Sequence, residues 1–134
     1  MVAKLPPGPR ILLVDDHEQN LELLEAYLED LRAQVRTARD GVEALAKVAA
    51  EKPDLILLDI MMPRMSGYQV AKKLKADPAT KDIPIIMVTA LGEVSDIEKA
   101  SDAGVTNFLT KPVNKQDLLS RVRAMLPSSS SATG

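Results

Sequence analysis

The chain has 134 residues and a mass of 14.5 kDa, enough for one domain with a single core. Apolar residues make up 46% and charged residues 27%, which excludes general disorder. Seventeen basic and nineteen acidic residues leave a net charge of -2, and only Tyr27, Tyr68 and Phe108 are aromatic. With neither a basic excess nor a stacking platform, direct nucleic-acid binding is not expected. The absence of cysteine excludes disulfides, a thiolate zinc site and a cysteine nucleophile. No apolar run approaches the length of a membrane span and the N-terminus lacks an apolar signal core, so a cytoplasmic domain without membrane partners is expected.

Residues 1–9 form a proline-rich lead with Pro6, Pro7 and Pro9. Residues 127–134, Pro127 followed by four serines, read as a flexible tail or the start of a linker. The folded unit is expected over residues 10–126. Its first strand is Ile11 to Val14. Leu21, Leu24, Leu28 and Leu31 then fall on one face of a helix. Gln34 to Ala38 is a weaker second strand. Asp40, with Glu43 three residues on, opens a second helix whose expected apolar face is Val42, Leu45, Ala46 and Ala49.

Leu55 to Leu58 is the third strand, and Ser66 with Gln69 sets a capping box for a helix running through Leu74. The fourth strand is expected over Ile83 to Val88, with Pro84 near its start. A polar fourth helix is expected from about Glu93 to Ala103, with Gly104 suited to a left-handed cap. Val105 to Leu109 is the fifth strand. The fifth helix starts near Asn114 and places Leu118, Leu119, Val122, Met125 and Leu126 on one face. Apolar strands alternating with helices predict an α/β fold. It is a doubly wound, five-stranded parallel sheet of order 2-1-3-4-5, flavodoxin-like, with helices on both faces.

In such sheets ligands bind beyond the carboxyl ends of the strands, where the strand order reverses. Strand 1 ends in Asp15 and Asp16, strand 3 in Asp59, strand 4 in Thr89, and strand 5 in Thr110, Lys111 and Pro112. Each group alone has an ordinary explanation as a helix cap, turn residue or surface lysine. Together, three carboxylates at one edge repel and call for a hard cation such as magnesium. Lys111 then neutralises an incoming phosphoryl group, Thr89 hydrogen-bonds its oxygens, and a carboxylate can accept it covalently.

With these residues in view, the chain resembles the receiver domains of two-component response regulators. The resemblance rests on Ile11 to Asp16, Pro53 to Asp59, Met62-Pro63 with Ser66-Gly67, Val88 to Ala90, and Phe108 to Pro112. It implies that Asp59 accepts a phosphoryl group from a histidine kinase or phosphotransfer protein, without the chain being an enzyme in the ordinary sense. It further implies magnesium at Asp16, Asp59 and the Met61 carbonyl, with Asp15 acting mainly through water. Thr89 and Lys111 contact the phosphate. Thr89 and Phe108 couple the site to a switch surface of the fourth helix, fifth strand and fifth helix. There the active form self-associates or binds a downstream effector. Phe108 lacks the hydroxyl of a tyrosine, and the plain alternative is a core aromatic. The Lys111–Pro112 peptide is expected to be cis.

His17, the only histidine, reads as a solvated residue at the start of helix 1. Residues 15–30 hold Asp15, Asp16, Glu18, Glu22, Glu25, Glu29 and Asp30 without a lysine or arginine, which is either a solvated face or a docking surface. Met61 and Leu91, two residues beyond Asp59 and Thr89, are expected to crowd the path of hydrolytic water and prolong the phosphorylated state; otherwise they turn toward the core. Three rival readings are weaker. An aspartate-nucleophile phosphatase typically has a second acid where Met61 stands. No phosphate-binding glycine loop supports a nucleotide or flavin site. A receiver-like docking module that is not phosphorylated is expected to have lost one of the five site residues.

Overall fold

The computed structural model describes residues 8–60, 62, 64–89, 102, 104, 105 and 107–126. Five strands form one parallel sheet: β1 (Arg10–Val14), β2 (Gln34–Ala38), β3 (Leu55–Asp59), β4 (Ile85–Thr89) and β5 (Asn107–Thr110). Their order is β2-β1-β3-β4-β5, as the alternation of apolar runs predicts. Four helices are described: α1 (Glu18–Leu28), α2 (Gly41–Ala50), α3 (Gly67–Ala76) and α4 (Lys115–Met125). A 3-10 turn, Glu29–Leu31, extends α1. The helix expected over 93–103 falls almost wholly outside the described residues. Gly104, expected at its end, has a φ of 92°, the left-handed region that glycine enters without steric cost.

Because side chains alternate along a strand, each apolar strand feeds both faces of the sheet. Leu12 and Val14, Ile56 and Leu58, and Ile85 and Met87 join Ala44, Val48, Val70 and Leu74 beneath α2 and α3. Ile11 and Leu13, Leu55 and Leu57, and Ile86 and Val88 join Leu21, Leu24, Leu118 and Val122 beneath α1 and α4. The central strands β1, β3 and β4 are therefore apolar along their buried length, and the polar chemistry is left to the carboxyl ends.

Local signals fix the helix starts. Asp40 accepts the Glu43 amide at 2.8 Å, and Asn114 accepts that of Asp117 at 3.1 Å. Ser66 and Gln69 close the expected capping box, with the Ser66 hydroxyl 3.3 Å from the Gln69 amide and the Gln69 side chain 3.0 Å from the Ser66 amide.

Four expectations need correction. The buried face of α2 is Gly41, Ala44 and Val48, whereas Val42 is 61% exposed and Ala46 and Ala49 face solvent. Leu45 alone of the expected face packs partly against the core. A Cβ on Gly41 would sit 2.8 Å from Met65 and Val70 side-chain atoms, so this helix packs closely through small residues. β4 starts at Ile85 because Ile83 is held in a turn, its amide bonded to the Thr80 carbonyl at 3.0 Å, and Pro84 offers the ladder only an acceptor. β5 starts at Asn107, opposite Ile86, so Val105 is buried core ahead of the ladder. Helix α3 also runs two residues beyond Leu74.

Candidate functional site

The carboxyl ends of β1, β3, β4 and β5 carry the groups singled out by sequence, and the sheet brings them to one edge. Asp15 follows β1, and its amide donates to the Ala38 carbonyl at 3.1 Å, which carries the β1–β2 pairing one residue further. Its side chain is buried and heavily bonded. Oδ1 accepts the His17 amide at 2.9 Å, and Oδ2 accepts Asn20 Nδ2 at 3.2 Å and Lys111 Nζ at 3.2 Å. Lys111 Nζ also lies 3.3 Å from Oδ1 of the buried Asp59. One ammonium thus joins two carboxylates from neighbouring central strands.

Lys111 is delivered by the turn after β5. Its amide donates to the Thr89 carbonyl at 2.7 Å, and the Lys111–Pro112 peptide is cis. Thr89, at the end of β4, is buried with a relative exposure of 4%. On the far side, Arg64 in the loop after β3 has a φ of 66° and pairs with Asp40, the cap of α2, at 3.2 Å. That pair ties the loop following Asp59 to the neighbouring helix, and the capping amide of Glu43 together with Arg64 holds the Asp40 carboxyl below its ordinary range.

The electrostatics follow from burial. Desolvation, reinforced by the neighbouring Asp15 and Asp16 charges and opposed by Lys111, pushes the Asp59 pKa up to about 6. Burial works against the Lys111 ammonium, but the Asp59 and Asp15 carboxylates outweigh it and raise its pKa. Asp16 is different: its Oδ1 is buried and has no hydrogen-bond partner. His17 Nδ1 stands 3.1 Å away but outside hydrogen-bonding geometry. A buried orphan carboxylate oxygen grouped with Asp15, with the Asp59 charge close enough to feel it, fits a hard divalent cation such as magnesium.

His17 is the group that sequence reasoning underrated. Its side chain is 67% exposed, yet the ring nitrogen lies within 3.3 Å of both Asp15 and Asp16. The three side chains offer ligand atoms within 4.8 Å of one another. The signal was the Asp-Asp-His run itself, at the strand end. Met61, Ala90 and Leu91 lie outside the described residues, so the ligand role of Met61 and the water-path reading rest on sequence. Phe108, in β5, is half-buried against the core beneath α2 and α3. Among the described residues, no helix is long and apolar enough to cross a membrane.

A doubly wound sheet with three carboxylates, a threonine and a lysine at its carboxyl edge is the architecture of a receiver domain. The response regulator receiver domain model matches residues 11–123, and the chain belongs to that family. It is 48% identical over 116 residues to the response regulator PleD of Caulobacter vibrioides, a match covering 87% of this chain and 26% of PleD. It is 37% identical over 121 residues to PilG of Pseudomonas aeruginosa, covering 90% of each. The crystal structure of the chemotaxis response regulator CheY4 of Vibrio cholerae superposes with a TM-score of 0.83 at 32% identity, covering 89% of this chain and 99% of that one.

Proposed function

We propose that this receiver domain takes a phosphoryl group onto Asp59 from the phosphohistidine of a histidine kinase or phosphotransfer protein. The observation that carries the reading is Lys111 Nζ held between Asp59 and Asp15 at 3.3 and 3.2 Å, with the orphan Asp16 oxygen beside them. With a pKa of about 6, Asp59 is about nine-tenths ionised at pH 7, so it is available as a nucleophile. A carboxylate oxygen forms the new O–P bond as the P–N bond to the imidazole breaks, and the leaving imidazole takes a proton. Lys111 neutralises charge on the arriving phosphoryl oxygens, and the Thr89 hydroxyl supports one of them.

Asp15, Asp16, Asp59 and the Met61 carbonyl would hold magnesium, which when bound screens the carboxylates from one another and from the phosphoryl group. The donor reaches the site along a groove of about 400 Å³ lined by Asp15, Asn20, Leu23, Val88, Lys111 and Pro112, where Leu23 is 45% exposed. Phosphorylation then changes the surface of residues 93–103, β5 and α4, through Thr89 and Phe108. That surface recruits an effector or a second phosphorylated copy.

The test is intact mass after incubation with magnesium and acetyl phosphate. A gain of about 80 Da is expected for one phosphoryl group, and none in Asp59→Asn. Undiminished labelling of that variant overturns the assignment.

A further inference from the structure

A second groove lies on the opposite side of the molecule from α1. It has a volume of about 490 Å³ and runs between α2 and α3. Leu45, Val48, Ala49 and Leu74 give it an apolar floor, and Lys52 and Lys73 stand on its rim. Both lysines are exposed, and neither has an ion-pair partner among the described residues. Asp77 also lines the groove, with its carboxylate accepting the Ala79 amide at 2.9 Å, so the lining keeps a net positive charge that suits an apolar ridge flanked by carboxylates.

The chain itself carries such a ridge. On the solvent face of α1, Leu23 and Ala26 stand three residues apart, one helical turn, and both are exposed. Glu22, Glu25 and Glu29 run beside them at helical spacing. Glu18 and Asp30 are neutralised by Arg39 at 2.7 Å and Lys115 at 3.0 Å, but these three glutamates have no ion-pair partner among the described residues. Like charges at i, i+3 and i+4 destabilise a helix by a few tenths of a kcal/mol per pair. An opposing cation relieves that repulsion.

We infer that the α2–α3 groove of one copy receives the α1 ridge of a second copy, with Leu23 and Ala26 on the apolar floor and the glutamates against Lys52 and Lys73. α1 packs on one face of the sheet and the groove opens on the other, so a chain cannot close this contact on itself. The two surfaces differ, so the contact is head-to-tail and propagates into open chains rather than stopping at a symmetric pair. A contact of this size and charge is weak and salt-sensitive, with a dissociation constant on the order of 10⁻⁴ M. It also covers Leu23, closing the donor groove of the held copy; that consequence alone rests on the phosphoacceptor reading.

The experiment is sedimentation of the unphosphorylated chain up to about 1 mM, at about 0.1 M and about 1 M salt. The weight-average mass is expected to climb past twice the 14.5 kDa of one chain, to several chains, at low salt and to return to one chain at high salt; a plateau at two chains overturns the open-chain geometry. Lys73→Glu and Glu25→Lys should each stay monomeric alone. Mixed in equal amounts they should associate again, because each then meets a groove or helix of opposite charge. That rescue also shows that both variants are folded. A wild type that stays monomeric, or association indifferent to salt and to both variants, overturns the proposal. So does a mixture that fails to reassociate.

Discussion

Lys111 Nζ sits 3.3 Å from Asp59 Oδ1, across 52 residues of sequence, and it is the cation between Asp59 and the Asp15 carboxylate. The Asp59 pKa of about 6 is thus a compromise, raised by burial and by Asp15 and lowered by Lys111. Lys111→Met removes the lowering contribution and leaves two buried carboxylates facing each other. Carbon-13 titration of the metal-free protein should find the Asp59 midpoint above its wild-type value, and labelling by acetyl phosphate should slow by about 10–100-fold. A midpoint at or below the wild-type value would show that Lys111 does not govern the charge of Asp59.

The same shift has a consequence for stability. The folded pKa of Asp59, about 6, lies above the ordinary 3.8, so the folded state keeps a proton that the unfolded state releases. Stability of the metal-free protein therefore falls as pH rises from about 4 to about 6, and the loss is complete above that. Its size is on the order of 1–3 kcal/mol once solvent screening is allowed for. Asp59→Asn should be more stable than wild type at pH 7 by about that amount, with the gap closing toward pH 4. Urea denaturation at the two pH values measures it, and equal stabilities at pH 7 would contradict the burial argument.

Asp16 supplies the metal prediction. Its buried Oδ1 lacks a hydrogen-bond partner, whereas Asp15 is already bonded by His17, Asn20 and Lys111. Magnesium at about 100 times its dissociation constant should stabilise the wild type by about 2.7 kcal/mol. Asp16→Asn should lose most of this increment without losing stability in metal-free buffer, because it removes a charge from a repulsive cluster. Calorimetric titration separates the outcomes, and unchanged magnesium affinity in the variant would move the cation away from Asp16.

How much of this is legible in the sequence differs by level. Apolar strands bounded by helical periods are enough for the sheet order, because both sheet faces must be covered and crossovers share one hand. Asp15, Asp59, Thr89 and Lys111 are legible because a parallel sheet aligns its strand ends, whatever the side-chain detail. The buried face of α2 is not legible from large residues. Close packing against the next helix decides it, because Gly41 lies where a side chain would run into Met65 and Val70. Nor is the pairing of Arg64 with Asp40 legible, since it depends on a left-handed residue in a loop. His17 was read as solvated, and its ring is largely exposed, but only the folded turn shows it beside both acids.

Gly67 couples the helix cap to the backbone that carries Asp59. Its amide donates to the Ile60 carbonyl at 2.9 Å, immediately after the Ser66 cap of α3. A Cβ here would lie 2.3 Å from the Asp59 carbonyl oxygen and 2.9 Å from Ile60 Cα. These are backbone atoms of the very segment that presents Asp59, so a rotamer change cannot relieve the clash. Either α3 moves away or the end of β3 shifts. Helix propensity favours alanine over glycine by about 1 kcal/mol, so an open position would gain from the exchange. Gly67→Ala should instead destabilise by about 1–3 kcal/mol, as overpacking against fixed backbone does. It should also weaken magnesium binding and slow phosphoryl loading, because displacement of β3 moves the Asp59 carboxylate relative to Lys111. Ser66→Ala is the companion variant: it costs about 1 kcal/mol through the lost cap and leaves metal affinity in place. If Gly67→Ala matched Ser66→Ala in losing stability alone, the close approach would be a packing detail of α3 and not a constraint on the site.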